Sequence, residues 1–84
     1  MRIVFADRDW EDFSYWVSHD RKIARRVVRL LDDIERHPFE GVGKPEPLKY
    51  DLFGFWSRRI TDEHRLVYAV EGDQFLIAQV QYHY

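Results

Sequence analysis

The sequence predicts an α+β domain in which one strand and two helices precede a run of antiparallel strands. Three observations carry that prediction. Apolar residues recur at helical spacing between residues 10 and 34, the pattern changes to alternation after residue 53, and Glu71-Gly72-Asp73 is a hairpin signal between two alternating runs. With 84 residues there is room for a single domain spanning 1–84.

Residues 2–6 read as the first strand, built on the apolar run Ile3-Val4-Phe5. Asp7 or Asp9 is placed to cap the helix that follows, and Trp10, Phe13 and Val17 form its stripe, widened by Tyr15 and Trp16. A break at Ser18-His19-Asp20 offers Asp20 as N-cap of a second helix. Ile23, Val27, Leu30 and Ile34 are its stripe, flanked by Ala24, Val28 and Leu31, while most of its arginines take the other side. His37-Pro38 ends it, because the residue before proline is pushed out of the α region. Residues 38–51 hold all three prolines and fit no period, so they read as a long, restrained loop of the kind that often carries function. A meander follows: residues 53–60, a turn at Thr61-Asp62-Glu63, residues 64–70, the hairpin, and a last strand from Gln74 to about Tyr82. In that strand Leu76, Ala78, Val80 and Tyr82 are expected in the core, with Phe75, Ile77, Gln79, Gln81 and His83 on a face that turns polar towards the end.

A domain this small buries a modest fraction of its surface, and 17% aromatic residues compensate by supplying large area per side chain. The three tryptophans, Trp10, Trp16 and Trp56, sit in apolar patterns and read as core. No apolar stretch approaches the roughly 18–20 residues of a membrane span, and the N-terminus is too short for a signal segment. Without cysteine there is no disulfide framework and no catalytic thiolate, so the cytoplasm is the expected compartment. The net charge of −2 gives no bulk field for nucleic acid. Residues 21–36, however, hold six basic and three acidic side chains, a stripe that fits either phosphate contacts or a solvated helix face.

Cleaving RNA without a metal needs a base for the 2′-OH, a cation for the phosphorane-like transition state and an acid for the departing 5′-oxygen. Glu46, Arg59, Arg65, Lys49 and His83 beside Tyr84 are the side chains of suitable chemistry. Pattern alone leaves other readings open. Lys44-Pro45-Glu46-Pro47 fits a stiff connector, Arg58 and Arg59 fit strand-edge charges, Arg65 fits a pair with Asp62 or Glu63, and His83-Tyr84 fits a frayed tail. His19, His37 and His64 lack partners at metal-ligand spacing and read as structural. No cofactor or metal is expected.

Four motifs in register carry a resemblance. Lys44-Pro45-Glu46-Pro47-Leu48-Lys49, Gly54-Phe55-Trp56-Ser57-Arg58-Arg59-Ile60-Thr61, Glu63-His64-Arg65-Leu66-Val67-Tyr68 and the ending Tyr82-His83-Tyr84 resemble the YoeB (Txe/YoeB) family of RelE-like bacterial toxins. The resemblance extends along the whole chain, including Trp10, the arginine-rich second helix and His37-Pro38-Phe39-Glu40-Gly41. It implies a microbial ribonuclease-like fold, two helices on one face of a twisted, mostly antiparallel sheet. It also implies an mRNA interferase that enters the ribosomal A site and cuts the codon there. By resemblance Glu46 is the general base, Arg65 the transition-state cation and His83 the general acid, while Lys49, Arg59 and Tyr84 bind or orient the substrate. A cognate antitoxin and a toxin homodimer are implied as partners beside the ribosome and mRNA. The alternative is a non-cleaving module of the same fold that only occupies the A site or binds the antitoxin.

Overall fold

A computed structural model describes residues 1–82. In chain order the elements are β1 (Arg2–Phe5), α1 (Asp7–His19), α2 (Arg21–Arg36), β2 (Glu46–Pro47), a 3-10 turn (Tyr50–Leu52), β3 (Trp56–Arg59), β4 (Arg65–Glu71) and β5 (Gln74–Gln79). The strands form one sheet in the order β1-β5-β4-β3-β2. Among the described residues only β1 and β5 are parallel. That pairing is possible because two helices, and not a tight turn, lie between β1 and the meander.

Both helices cover one face of this sheet. Val27, Leu30, Leu31 and Ile34 of α2 pack with Ile60, Leu66, Tyr68, Phe75, Ile77 and Val80 in one cluster. Asp20 caps α2 as expected, its carboxylate accepting from the Ile23 N–H at 3.2 Å, and α2 stops at Arg36 before His37-Pro38. The first helix departs from expectation at its start. Its N-cap is Ala6 with no side-chain cap, Asp7 and Asp9 lie inside the first turn, and Asp9 is buried. Burial raises the Asp9 carboxyl above its usual range, against the pull of Arg8. Nor do Trp10 and Val17 belong to the core. Each is about half exposed, whereas Trp16 is buried. The reason is position: α1 packs on α2 and on the β1/β5 side of the sheet, so only a narrow stripe is covered. Trp10 instead lies edge-on against Phe5.

Two further corrections concern the strands. The long proline segment is not wholly irregular, because Glu46 and Pro47 add an edge strand that pairs with Ser57 and Trp56. In β5 the expected core set is inverted. Phe75 and Ile77 are buried, Leu76 and Ala78 are half-buried and Tyr82 is exposed. The pairings Tyr68↔Ile77 and Val67↔Gln79 leave Ala78 as an extra residue. Such a bulge reverses the alternation beyond it, which is why Val80 returns to the core.

Candidate active site

Paired residues in a sheet point to the same side, and the side alternates along each strand. The register Glu46↔Ser57↔Val67↔Gln79 therefore forms one row across four strands. Arg58 and Leu66 are paired with each other, and Arg58, Leu66 and Tyr68 are buried on the helix-covered face, so this row faces the opposite, open side. Arg59 and Arg65 are paired with each other and lie two residues from that row on their strands. Glu46, Arg59 and Arg65 thus share one face. Sheet spacings put the Cα atoms of Glu46 and Arg65 about 12 Å apart, within reach of one phosphate for side chains of this length. The floor between them is apolar, with Leu48, Val67 and Ala69 buried.

Glu46 reaches this face by pairing at the sheet edge, not by a loop folded over it. The preceding loop is stapled from below. Arg58, fully buried, donates to Asp33 Oδ2, to the carbonyls of Val42 at 3.2 Å and Glu40 at 2.8 Å, to the His37 carbonyl, and to the Tyr68 hydroxyl at 3.1 Å. The Tyr68 hydroxyl donates to the Pro38 carbonyl at 2.6 Å. The Arg58 hydrogen bond holds the Asp33 carboxyl below the usual carboxylate range, and burial pushes the Tyr68 hydroxyl up. Asp33 also accepts from the Val42 N–H, and a Cβ on Gly41, whose φ is +119°, would lie 2.0 Å from Asp33 Oδ2, so glycine is required there. Arg58 is therefore a load-carrying interior group and not a strand-edge charge. Sequence reasoning missed it, although its phase did place it between Trp56 and Ile60 on the apolar side of β3.

The two arginines of the open face behave differently. Arg65 Nη1 donates to the Thr61 carbonyl at 2.9 Å and not to Asp62 or Glu63 carboxylates. Arg59 and Lys49 are exposed, and their side chains have no ion pair among the described residues. Like charges directly opposite on a sheet are destabilising, so a cross-strand Arg59–Arg65 pair with no ion-paired carboxylate among the described residues is an arrangement suited to an anion.

The chain beyond β5 returns to this pair. The Arg65 N–H donates to the Tyr82 carbonyl at 3.0 Å, and Gln79 Nε2 donates to the same oxygen at 2.6 Å. Buried His64 accepts the Tyr82 N–H through Nδ1 at 2.7 Å, and the Trp16 indole donates to the Val80 carbonyl at 3.0 Å. Tyr82 is left-handed, with φ of 58°. The hydrogen bonds of His64 account for its structural role, which the sequence assigned without a partner. His83 and Tyr84 lie outside the described residues. Among the described residues there is no group of three His, Cys, Asp or Glu arranged to hold a metal, and no helix is long and apolar enough to cross a membrane.

Comparison with known proteins gives a consistent result. Residues 5–84 match the family described as YoeB-like toxin of bacterial type II toxin-antitoxin system. The chain is 58% identical to Toxin YoeB of Streptomyces coelicolor and 54% identical to Toxin YoeB of Escherichia coli K12, each over the full length of both chains. It superposes on the YoeB/ParE toxin from Agrobacterium tumefaciens with a TM-score of 0.97 at 42% identity, covering all of both chains. It also superposes on the Staphylococcus aureus YoeB dimer and on the toxin of a YoeB-YefM complex from the same organism. Both have a TM-score of 0.93, cover all of this chain and 98% of the other, and are 44% and 42% identical.

Proposed function

The chain belongs to the YoeB-like toxins of bacterial type II toxin-antitoxin systems, and from that premise we propose that it is a ribosome-dependent endoribonuclease that cuts mRNA in the A site. The observation that carries this reading is the face shared by Glu46 and the Arg59–Arg65 pair, which has no ion pair among the described residues. In the proposed reaction Glu46 takes the proton from a ribose 2′-OH. The 2′-oxygen attacks the adjacent phosphorus, and the P–O5′ bond breaks. Arg65, with Arg59 and Lys49, balances the charge that builds on the phosphoryl oxygens. His83, the acid by resemblance, protonates the leaving 5′-oxygen, and Tyr84 orients the substrate beside it. Base, cation and acid are all protein side chains, so the chemical step needs no divalent metal. The products are a 2′,3′-cyclic phosphate and a 5′-OH.

With a net charge of −2 the protein lacks the field for tight binding of free RNA. The A site supplies the orientation that electrostatics does not. The partners proposed are the ribosome with its message, a cognate antitoxin and a second copy of the chain. The complex and the dimer of the staphylococcal relative support the last two. The site of action is then the cytoplasm.

The test is to map mRNA ends on programmed ribosomes beside Glu46→Gln. Loss of a general base should reduce the cleavage rate about 10²–10⁴-fold, with ribosome binding retained. A minimal RNA at high enzyme should be cut in the presence of a chelator. Products ending in 3′-OH and 5′-phosphate, or undiminished cleavage by Glu46→Gln, would overturn the mechanism.

A further inference from the structure

Beyond Glu46 the chain makes a turn whose side chains are hard to explain by folding. Tyr50 is 91% exposed and Phe53 is 83% exposed, the two most exposed large hydrophobic residues among those described. Tyr50 also adopts φ of 57°, a left-handed conformation that a tyrosine rarely takes. Backbone strain and water-exposed aromatic area are both unfavourable. Among the described residues no other aromatic ring stacks on either one.

The two rings are not scattered. The Phe53 N–H donates to the Tyr50 carbonyl at 3.0 Å, closing a single turn. Residues that close such a turn have Cα atoms closer than about 7 Å, so the two side chains start from neighbouring points of the chain. The turn directly follows Glu46 and Lys49, and Tyr50 lines with them an open concavity of about 470 Å³ formed by residues 46–52, with Phe53 next in the chain. A cation and two bare aromatic faces within five residues are the elements of a single-strand nucleic-acid platform, in which the cation meets phosphate and the rings stack bases.

We propose that Tyr50 and Phe53 form a stacking platform for an unpaired base of the message next to the cleaved bond. This rests on the reading of Glu46 as the base in RNA cleavage and extends it to substrate binding. The occupant is the message and not ribosomal RNA, because Tyr50 is only four residues from Glu46, the group that takes the 2′-OH proton of the scissile nucleotide in the proposed reaction, so the neighbouring bases of that same strand come within reach. The antitoxin is the competing protein occupant.

The experiment uses the full chain and ribosomes programmed with defined A-site codons. It compares wild type, Tyr50→Ala, Phe53→Ala, the double variant, and Tyr50→Phe, which keeps the ring. Exposed as these side chains are, thermal unfolding should be unchanged, which separates the platform from a structural role. The double variant should lose roughly 5- to 150-fold in kcat/KM, the effect of one lost stack. Tyr50→Phe should retain full activity, and the codon profile should flatten in the double variant. Wild-type kcat/KM on every codon would overturn the proposal. A loss of affinity for message-free ribosomes would overturn it in favour of ribosomal RNA. A loss of antitoxin affinity with cleavage intact would overturn it in favour of the protein partner. Glu46→Gln, run in parallel, reports separately on the catalytic reading, since its activity does not depend on which group covers the turn.

Discussion

Arg58 shows how a single side chain can hold a functional loop in place without touching substrate. Its guanidinium satisfies three carbonyls, a hydroxyl and a carboxylate, which holds the 37–42 segment that leads to Glu46 at the sheet edge. Arg58→Met keeps the apolar stem and removes these bonds. Removing one partner of a buried pair is strongly destabilising, and with Asp33 still partly in contact with water the loss is expected at about 3 kcal/mol in urea unfolding. The pH dependence has a definite sign. The Asp33 pKa is lowered in the folded protein, so its contribution is present above its unfolded pKa of about 3.9 and is lost as pH falls through the lower folded value. Asp9, whose pKa is raised, works in the opposite direction and favours folding as pH falls. Asp33→Asn should therefore be less stable than wild type at neutral pH and lose less on acidification. An equal acid slope in both proteins would count against this account. Adjacent arginines look alike in sequence, and only the phase against Trp56 and Ile60 distinguishes buried Arg58 from exposed Arg59.

Among elements, α2 was fully legible because its signals agree: Asp20 as cap, a regular stripe and a proline stop. The last strand was legible as a strand but not in its facing. A bulge at Ala78 adds one residue and leaves no compositional mark, so strict alternation assigns the wrong core. The two-residue β2 was invisible for a related reason, since it is held by pairing with β3 and not by any local propensity. The candidate residues were found by residue chemistry and motif; that Glu46, Arg59 and Arg65 share a face depends on register, which a sequence does not display. The bonds from Trp16, His64 and Gln79 to residues 80–82 lead to a prediction for the ending. Removing His83 and Tyr84 leaves all of these bonds in place. Stability should change by no more than about 1 kcal/mol, while loss of a general acid lowers the cleavage rate about 10²–10⁴-fold. Thermal unfolding, ribosome binding and cleavage measured on a chain ending at Tyr82 decide this. Full cleavage would remove His83 from the mechanism, and unfolding would make the ending structural.

At the scale of the whole molecule the charge is divided by position. The net charge is −2, yet the outer side of α2 exposes Arg21, Lys22, Arg25, Arg29 and Arg36. None of them has an ion pair among the described residues. The helix is fixed by its apolar stripe, so folding leaves these cations available to a polyanionic partner. Arg26 is different, since it bonds the Arg59 carbonyl at 3.2 Å and ties α2 to the site strand. If α2 meets ribosomal phosphates, Arg25→Gln with Arg29→Gln should raise KM and leave kcat unchanged, because both residues lie away from Glu46, Arg59 and Arg65 on the sheet's open side. Each phosphate contact contributes about 0.7–0.9 to the slope of log affinity against log salt. The double variant should therefore lose about 1.4–1.8 in that slope when ribosome binding is measured across a salt series. Thermal stability should be unaltered, since exposed charges without partners contribute little to folding. An unchanged slope would leave the row of arginines as a solvated helix face and assign all of the electrostatic attraction to Lys49, Arg59 and Arg65.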